Sequence, residues 1–157
     1  MTTPIQIWTR AVRHPAFECG GWAFVRSGSE LLGQAGGARN TTVQRMVLSG
    51  LTAGFTDLPP GPVDLDLGDR RIAQITAKIL SGGELTEAER PEEDLDLWAQ
   101  MTTALKGRKV TFKLGALTAG GPAAFAQAWA DLAMDKAKAA GPFIASIPKP
   151  NLAKVKV

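Results

Sequence analysis

The sequence contains few of the histidine and cysteine side chains that commonly act as catalytic bases, nucleophiles or metal ligands. His14 is the only histidine, which excludes any mechanism that needs two imidazoles from one chain. Cys19 is the only cysteine, so the chain has no intrachain disulfide and no pair of thiols for a zinc site. Residues 80–83 read Leu-Ser-Gly-Gly and lack the lysine and threonine of a phosphate-binding loop. We therefore predict no cofactor, and any metal would depend mainly on carboxylates.

The charged residues are unevenly distributed, although the net charge is only +3. Residues 84–96 are strongly acidic, and Arg90 is their only basic residue. After Asp135 the chain has no acid and carries Lys136, Lys138, Lys149, Lys154 and Lys156. Such a basic end suits contact with a phosphate backbone or an acidic partner, and it equally suits a solubilising role.

The sequence lacks a secretory pattern at its start, and no apolar run approaches the roughly 20 residues of a membrane helix. The single cysteine is typical of a reducing compartment. These features predict a cytoplasmic protein without a membrane segment.

The elements that position these residues are predicted from hydrophobic periodicity. Alternating apolar residues predict strands over residues 5–9, 22–25, 31–36, 63–67 and 109–114. Helical spacing predicts helices over residues 43–55, 70–80, 97–105 and 123–139. In the last helix we expect Phe125, Trp129 and Leu132 to form the apolar face. The order of elements predicts an α/β fold with a mixed sheet.

The end of the chain is predicted to be a separate segment. Residues 1–140 are expected to form one domain, and residues 141–157 an extended, basic tail that contains three prolines. A partner-binding arm would use the tail's apolar and basic residues, namely Phe143, Ile144, Ile147, Lys149, Leu152, Lys154 and Lys156. The alternative is that the tail packs on the protein's own surface.

Four local motifs resemble the type 1 ribonuclease H family and follow its order between about residues 5 and 133. They are IQIWTRA with GGWAFV (5–25), TTVQRMVL (41–48), DLDLW (94–98) and TAGGP (118–122). The resemblance implies a ribonuclease-H-like, five-stranded mixed sheet flanked by helices. It also implies hydrolysis of the RNA strand of an RNA–DNA hybrid by two divalent metal ions, which four carboxylates hold.

This sequence departs from the family at every catalytic position. The four metal-binding carboxylates fall on Arg10, Val47, Gly68 and Ala128. Asp69 lies one residue past the third position, and a shift of two residues in the last helix gives Ala130. The histidine of the catalytic loop falls on Thr118, and the paired asparagines that contact the hybrid fall on Val43 and Gln44. Because all four carboxylates and the histidine are replaced, and a guanidinium at position 10 also repels cations, we predict no metal site, no hydrolysis and hence no enzyme.

Arginines accumulate where the resemblance places the metal centre. In the resembled fold, Arg10, Arg45, Arg70 and Arg71 come from segments whose ends meet there. One interpretation is a cationic patch that binds nucleic-acid phosphates directly. In the other, which we favour for Arg45, Arg70 and Arg71 taken singly, they pair with Asp64, Asp66 or Asp69. For Arg10 we expect a functional or site-filling role.

The sequence therefore predicts a catalytically inactive ribonuclease-H-like domain that acts by binding. Its partner is predicted to be nucleic acid or a nucleic-acid-containing assembly. The alternative is a protein-interaction or structural subunit of a larger complex that does not contact nucleic acid.

Overall fold

A computed structural model describes residues 3–156 of the chain. The elements in chain order are β1 (Ile5–Arg13), β2 (Gly20–Arg26), β3 (Leu32–Ala38), α1 (Val43–Gly54), β4 (Val63–Asp66), α2 (Arg70–Ser81), α3 (Leu95–Leu105), β5 (Val110–Lys113), α4 (Pro122–Ala140), β6 (Phe143–Ser146) and α5 (Lys149–Leu152). Within these residues, no helix is both long enough and apolar enough to cross a membrane.

The strands form one mixed sheet in the order β5-β4-β1-β2-β3-β6. The pairs β1–β2, β2–β3 and β3–β6 are antiparallel, whereas β4 runs parallel to both β1 and β5. Helices α1, α2 and α3 bury their apolar residues against one face of the sheet. Helix α4, Ile147 and Leu152 cover the other face. The predicted α/β fold is confirmed.

The sheet has six strands, one more than the five predicted. The additional strand, β6, comes from the tail and pairs with β3 over residues 34–37. It covers an edge of β3 that would otherwise expose unpaired backbone N–H and C=O groups. Residues 149–152 then form a helical turn, so the tail is extended only over part of its length.

Helix α4 packs mainly through its small residues, and the expected bulky face is wrong at Leu132, while Phe125 and Trp129 pack only at the margin of the core. Its fully buried side chains are all alanines: Ala123, Ala126, Ala130, Ala133 and Ala137. Leu132 is 58% exposed, and Phe125 and Trp129 are only partly buried. The cause lies in the sheet, where a Cβ on Gly21 would collide with the carbonyl oxygen of Ala130. The helix backbone therefore lies almost directly on the glycines of β2 and β3, where large side chains have no room.

The parallel pair β1–β4 positions the candidate site. In its register Trp8 lies opposite Asp66, the last residue of β4. Strand β1 continues past this point, so Arg10 lies beside the turn that follows β4. In that turn Gly68 has a φ of +72°, and Asp69 begins α2 by accepting a hydrogen bond from the backbone N–H of Ile72 at 2.9 Å. One end of the sheet thus brings β1, β4 and the start of α2 together.

Candidate functional site

Arg10 points into the protein and is almost completely enclosed. Its side chain is 7% exposed, and Nη1 lies 2.8 Å from Oδ1 of Asp66. The same nitrogen donates hydrogen bonds to the carbonyl oxygens of Thr9 at 2.7 Å and Asp66 at 3.1 Å. The guanidinium is therefore held by the ends of β1 and β4 and is almost completely withdrawn from solvent.

Asp66 is the acid that matches the charge of Arg10. Its Oδ2 accepts a hydrogen bond from the backbone N–H of Gly115 at 2.9 Å. Its Oδ1 is close to Arg10 Nη1, but no N–H points at it with hydrogen-bond geometry. We regard this contact as an ion pair, because a separation of 2.8 Å is typical of contacts between a guanidinium and a carboxylate. Asp66 consequently ties β4 to β1 and to the loop that follows β5.

Gly68 completes this arrangement. A Cβ at position 68 would lie 3.0 Å from both Cδ and Nε of Arg10, so the arginine stem covers the space beside this residue. The positive φ of Gly68 also disfavours any other residue at this position. We call Arg10, Asp66 and Gly68 the Arg10 centre.

The donors at the Arg10 centre do not fit divalent cations. Asp66 is its only carboxylate and is already paired with a guanidinium. Val47 is buried, Ala128 is exposed, and Asp69 is engaged as the first residue before α2. Within residues 3–156, no three His, Cys, Asp or Glu side chains lie close enough together to hold a metal ion. Two hard cations need several anionic oxygens, and this centre offers none that is free.

The four arginines do not form one patch. Arg45 Nη1 lies 2.8 Å from Asp94 Oδ1 and 3.8 Å from Asp96 Oδ1, at the start of α3. Arg45 is therefore paired as the second interpretation expected, although with other acids than Asp64, Asp66 or Asp69. Arg10 is paired with one of those three acids, Asp66.

Arg70 and Arg71 form the exposed part of the site, and we call them the arginine pair. Within the described residues neither has a carboxylate within 4.0 Å. Arg71 Nη1 donates one long hydrogen bond, of 3.4 Å, to Gln44 Oε1. Both lie in the first turn of α2, where the helix dipole disfavours positive charge. Arg70 lines a cavity between α2 and β5 and is free to bind an anion. Arg71 lines a different cavity together with Glu87, Glu92 and Glu93, so an anion would meet negative charge beside it.

A partly apolar groove surrounds the Arg10 centre. A cavity of about 280 Å³ has Arg10, Val47 and Gly68 among its lining residues. A second cavity of about 230 Å³, between α2 and β5, shares Gly68 and Leu114 with the first. The exposed apolar residues around the first cavity, which we call the apolar rim, are Val43, Leu114 and Leu117.

Several lining residues were not predicted. On α4 it is Gln127, not Ala128, that lines the cavity at the Arg10 centre. Gln127 and Ala128 point in different directions from the helix, and which of them faces the cavity depends on how α4 packs on the glycines of the sheet. Matching residues to the family motif cannot detect this packing. Leu114 was predicted as the end of a strand that in the structure stops at Lys113, and Leu117 lies in the following loop without a periodic signal. The sequence therefore offered no basis for selecting either as a lining residue.

Most of the predicted partner-binding tail contacts its own domain. Ile147 and Leu152 are each 4% exposed and pack in the cluster beneath α4. Phe143 is half-buried below Lys136, and Lys149 Nζ lies 3.3 Å from Glu30 Oε2. The tail residues that are exposed and unpaired within the described chain are Ile144, Lys154 and Lys156. The tail therefore packs mainly on the protein's own surface, which was the alternative to a partner-binding arm.

Comparison with solved structures identifies the fold. The chain is similar to the N-terminal ribonuclease H domain of a Mycobacterium tuberculosis protein, solved as a fusion with maltose-binding protein. The TM-score is 0.66 and the identity 17%, over 88% of this chain and 97% of that one. It is also similar to LC11-RNase H1 in complex with an RNA/DNA hybrid, with a TM-score of 0.62 and 16% identity over 85% and 98% of the two chains.

A third similar structure is the foamy viral protease-reverse transcriptase in complex with an RNA/DNA hybrid. The TM-score is 0.64 and the identity 16%, over 83% of this chain, which spans only 20% of that one. No family model and no curated protein matches the sequence. At these identities the comparisons establish the architecture, so the chain has the ribonuclease H fold expected from its four motifs.

Proposed function

We propose that this protein is a catalytically inactive ribonuclease-H-like domain that binds nucleic acid without metal. The proposal rests on a difference in burial and pairing among the arginines. Arg10 lies inside the centre and is neutralised by Asp66, whereas Arg70 lies at its edge, exposed and without a carboxylate within 4.0 Å. Arg71, the next residue of α2, is also exposed and has no carboxylate within that distance. The first feature supports the loss of catalysis, and the second supports retained binding of phosphate groups.

Inactivity is supported by charge and by space. Two metal ions beside Arg10 would meet a fixed positive charge, with only one carboxylate to offset it. The contact between the arginine stem and Gly68 leaves little space for a ligand projecting from position 68.

Nucleic acid as the partner is supported by the arginine pair and by the fold. Guanidinium groups bind phosphate oxygens with two parallel hydrogen bonds, which suits a sugar–phosphate backbone. Two structures that share this fold contain an RNA/DNA hybrid. We therefore propose a duplex, and an RNA–DNA hybrid first, as the ligand.

A protein partner is the second candidate, and the apolar rim favours it. Val43, Leu114 and Leu117 are 43–58% exposed beside a cavity of about 280 Å³. A phosphate backbone gains little from such residues, whereas a peptide with an apolar side chain beside an acid would use both the rim and the arginine pair.

The test replaces the arginine pair and follows binding of a fluorescently labelled RNA–DNA hybrid by anisotropy over a salt series. R70A/R71A should weaken binding and lower the slope of log K against log salt by about one per lost phosphate contact. The matched control is K106A/K109A, which removes the same charge from exposed residues near the opposite end of the sheet.

The outcomes separate the candidates. Equal weakening by both double variants would mean that the hybrid responds to net charge alone, and would contradict a site at the arginine pair. No binding by the wild-type protein would overturn the nucleic-acid proposal. A partner that is retained after nuclease treatment, and lost in L114D/L117D, would support the protein-binding candidate.

A further inference from the structure

The tail is anchored to the domain by apolar contacts. After β6, the backbone N–H of Ile147 donates to the carbonyl oxygen of Gly33 at 2.9 Å. Gly33 leaves room for the tail, because a Cβ there would lie 3.1 Å from Ile147 Cδ1 and 3.3 Å from Leu152 Cδ2. The residues that follow Leu152 therefore start from a fixed point.

The end of the tail reaches the loop of residues 114–121, which connects β5 to α4. The backbone N–H of Lys156 donates to the carbonyl oxygen of Gly120 at 2.8 Å. At the other end of this loop, Gly115 donates to Asp66 of the Arg10 centre, and Leu114 lines the same cavity as Arg70. One loop thus lies between Arg70 and the tail lysines.

The loop, the segments that flank it in sequence and the tail contain no acidic residue. Residues 97–130 contain no aspartate or glutamate, and neither do residues 136–157. Lys154 and Lys156 are exposed and have no ion-pair partner within residues 3–156. Other lysines are paired, such as Lys113 with Asp64 at 2.9 Å. The two tail lysines therefore present free positive charge on a fixed backbone.

We infer that Lys154 and Lys156 form a second contact for the phosphate backbone of the nucleic acid that the arginine pair binds, with the 114–121 loop between the two contacts. The inference rests on the proposed function. It extends the proposed contact surface for nucleic acid from one edge of the groove to the end of the tail. Phosphates recur along a strand at regular spacing, so two separated cationic points fix the strand's direction without reading its sequence. Anchoring by Ile147 and Leu152 reduces the conformational entropy that the tail loses on binding.

The test measures binding of the same labelled RNA–DNA hybrid to K154A/K156A, R70A/R71A and the control K106A/K109A, each over a salt series. K154A/K156A should weaken binding several-fold at low salt and lower the salt slope by about one per lysine. The control should change both quantities less. Thermal melting should give the wild-type Tm for K154A/K156A, because neither side chain makes a hydrogen bond or ion pair in the described chain.

Two results would overturn the inference. If K154A/K156A binds like the control while R70A/R71A binds more weakly, the tail makes no contact and the proposed function stands. If the wild-type protein does not bind the hybrid, the inference and the proposed function both fail.

Discussion

At the scale of single residues, the ion pair between Arg10 and Asp66 decides what the centre can do. Each group would be costly to bury alone, and each is held by contacts that also join strands β1 and β4. The arginine therefore has a structural role at a position where the resembled family has a catalytic residue. Its charge is used within the protein and does not contribute to binding outside it.

Removing one member of this pair should strongly destabilise the protein. R10M leaves the Asp66 carboxylate buried without its counter-charge, and we expect unfolding free energy to fall by about 3–5 kcal/mol. Urea denaturation measures the change. The control K149M breaks an exposed pair with Glu30 and should cost at most about 1 kcal/mol. Equal effects of the two variants would show that the Arg10 pair contributes no more than a surface contact.

The sequence predicted that Arg10 replaces a metal-binding acid, but it left Asp64, Asp66 and Asp69 as possible partners. The structure selects Asp66 for two reasons. The β1–β4 register places Asp66 beside residues 8–10, and Asp69 already accepts the hydrogen bond that begins α2. Strand register depends on pairing between distant segments, so it could not be read from a local pattern.

At the scale of elements, helix α4 shows how glycines and alanines replace bulky packing. Sequence periodicity favours large apolar residues as the buried face, and it placed Leu132 there. The alanine face became the buried one because the glycines of β2 and β3 let the helix backbone approach the sheet closely. This close approach is a property of two elements together, so neither segment reveals it alone.

A methyl group at position 21 should disrupt this packing. In G21A the new Cβ would meet the backbone of Ala130 and Met134, which cannot move without displacing α4. We expect a loss of about 1–3 kcal/mol, typical of overpacking, in chemical denaturation. The control G28A, where the nearest atom lies at 3.6 Å, should change stability little. A wild-type stability for G21A would contradict the close contact of helix and sheet.

The acidic segment that follows α2 is attached to that helix by Lys78 and Glu89, whose Nζ and Oε1 lie 2.6 Å apart. The hydrogen bond from Lys78, aided by the backbone N–H of Thr86, lowers the pKa of the Glu89 carboxyl from 4.5 to about 2. A lowered folded-state pKa stabilises the protein above pH 4.5, and this contribution is lost as pH falls from 4.5 towards 2.

The variant K78M should therefore lose part of the acid sensitivity of the wild-type protein. Its Tm should fall less steeply than that of the wild type between pH 4.5 and 2, because the pKa of Glu89 returns towards its ordinary value. Thermal melts at several pH values measure this difference. Parallel decreases in the two proteins would show that the contact does not affect stability.

At the scale of the whole molecule, the ribonuclease H fold is kept while its centre has a different composition. Strands β1 and β4 still converge with α1, α2 and α4, but the space between them contains an ion pair and apolar side chains. The fold and its element order were predictable, since periodicity and four ordered motifs agreed. The sixth strand and the folded tail were not, because prolines and weak periodicity conceal contacts that depend on the edge of β3.

The same organisation gives the molecule one face on which binding is expected. Arg70, the 114–121 loop and the end of the tail follow one another along this face, and the loop is tied to the Arg10 centre through Asp66. The binding proposed there would use phosphate contacts from side chains and no metal ion. Binding of nucleic acid without a metal ion would therefore distinguish this protein from an active, metal-dependent nuclease.

The most direct measurement is the affinity of the purified protein for a labelled RNA–DNA hybrid in EDTA and in Mg²⁺ at constant ionic strength, with the RNA strand inspected on a denaturing gel afterwards. We predict measurable binding in EDTA, no tightening when Mg²⁺ replaces it, and an intact RNA strand. Binding only with Mg²⁺, or cleavage of the RNA strand, would contradict this prediction.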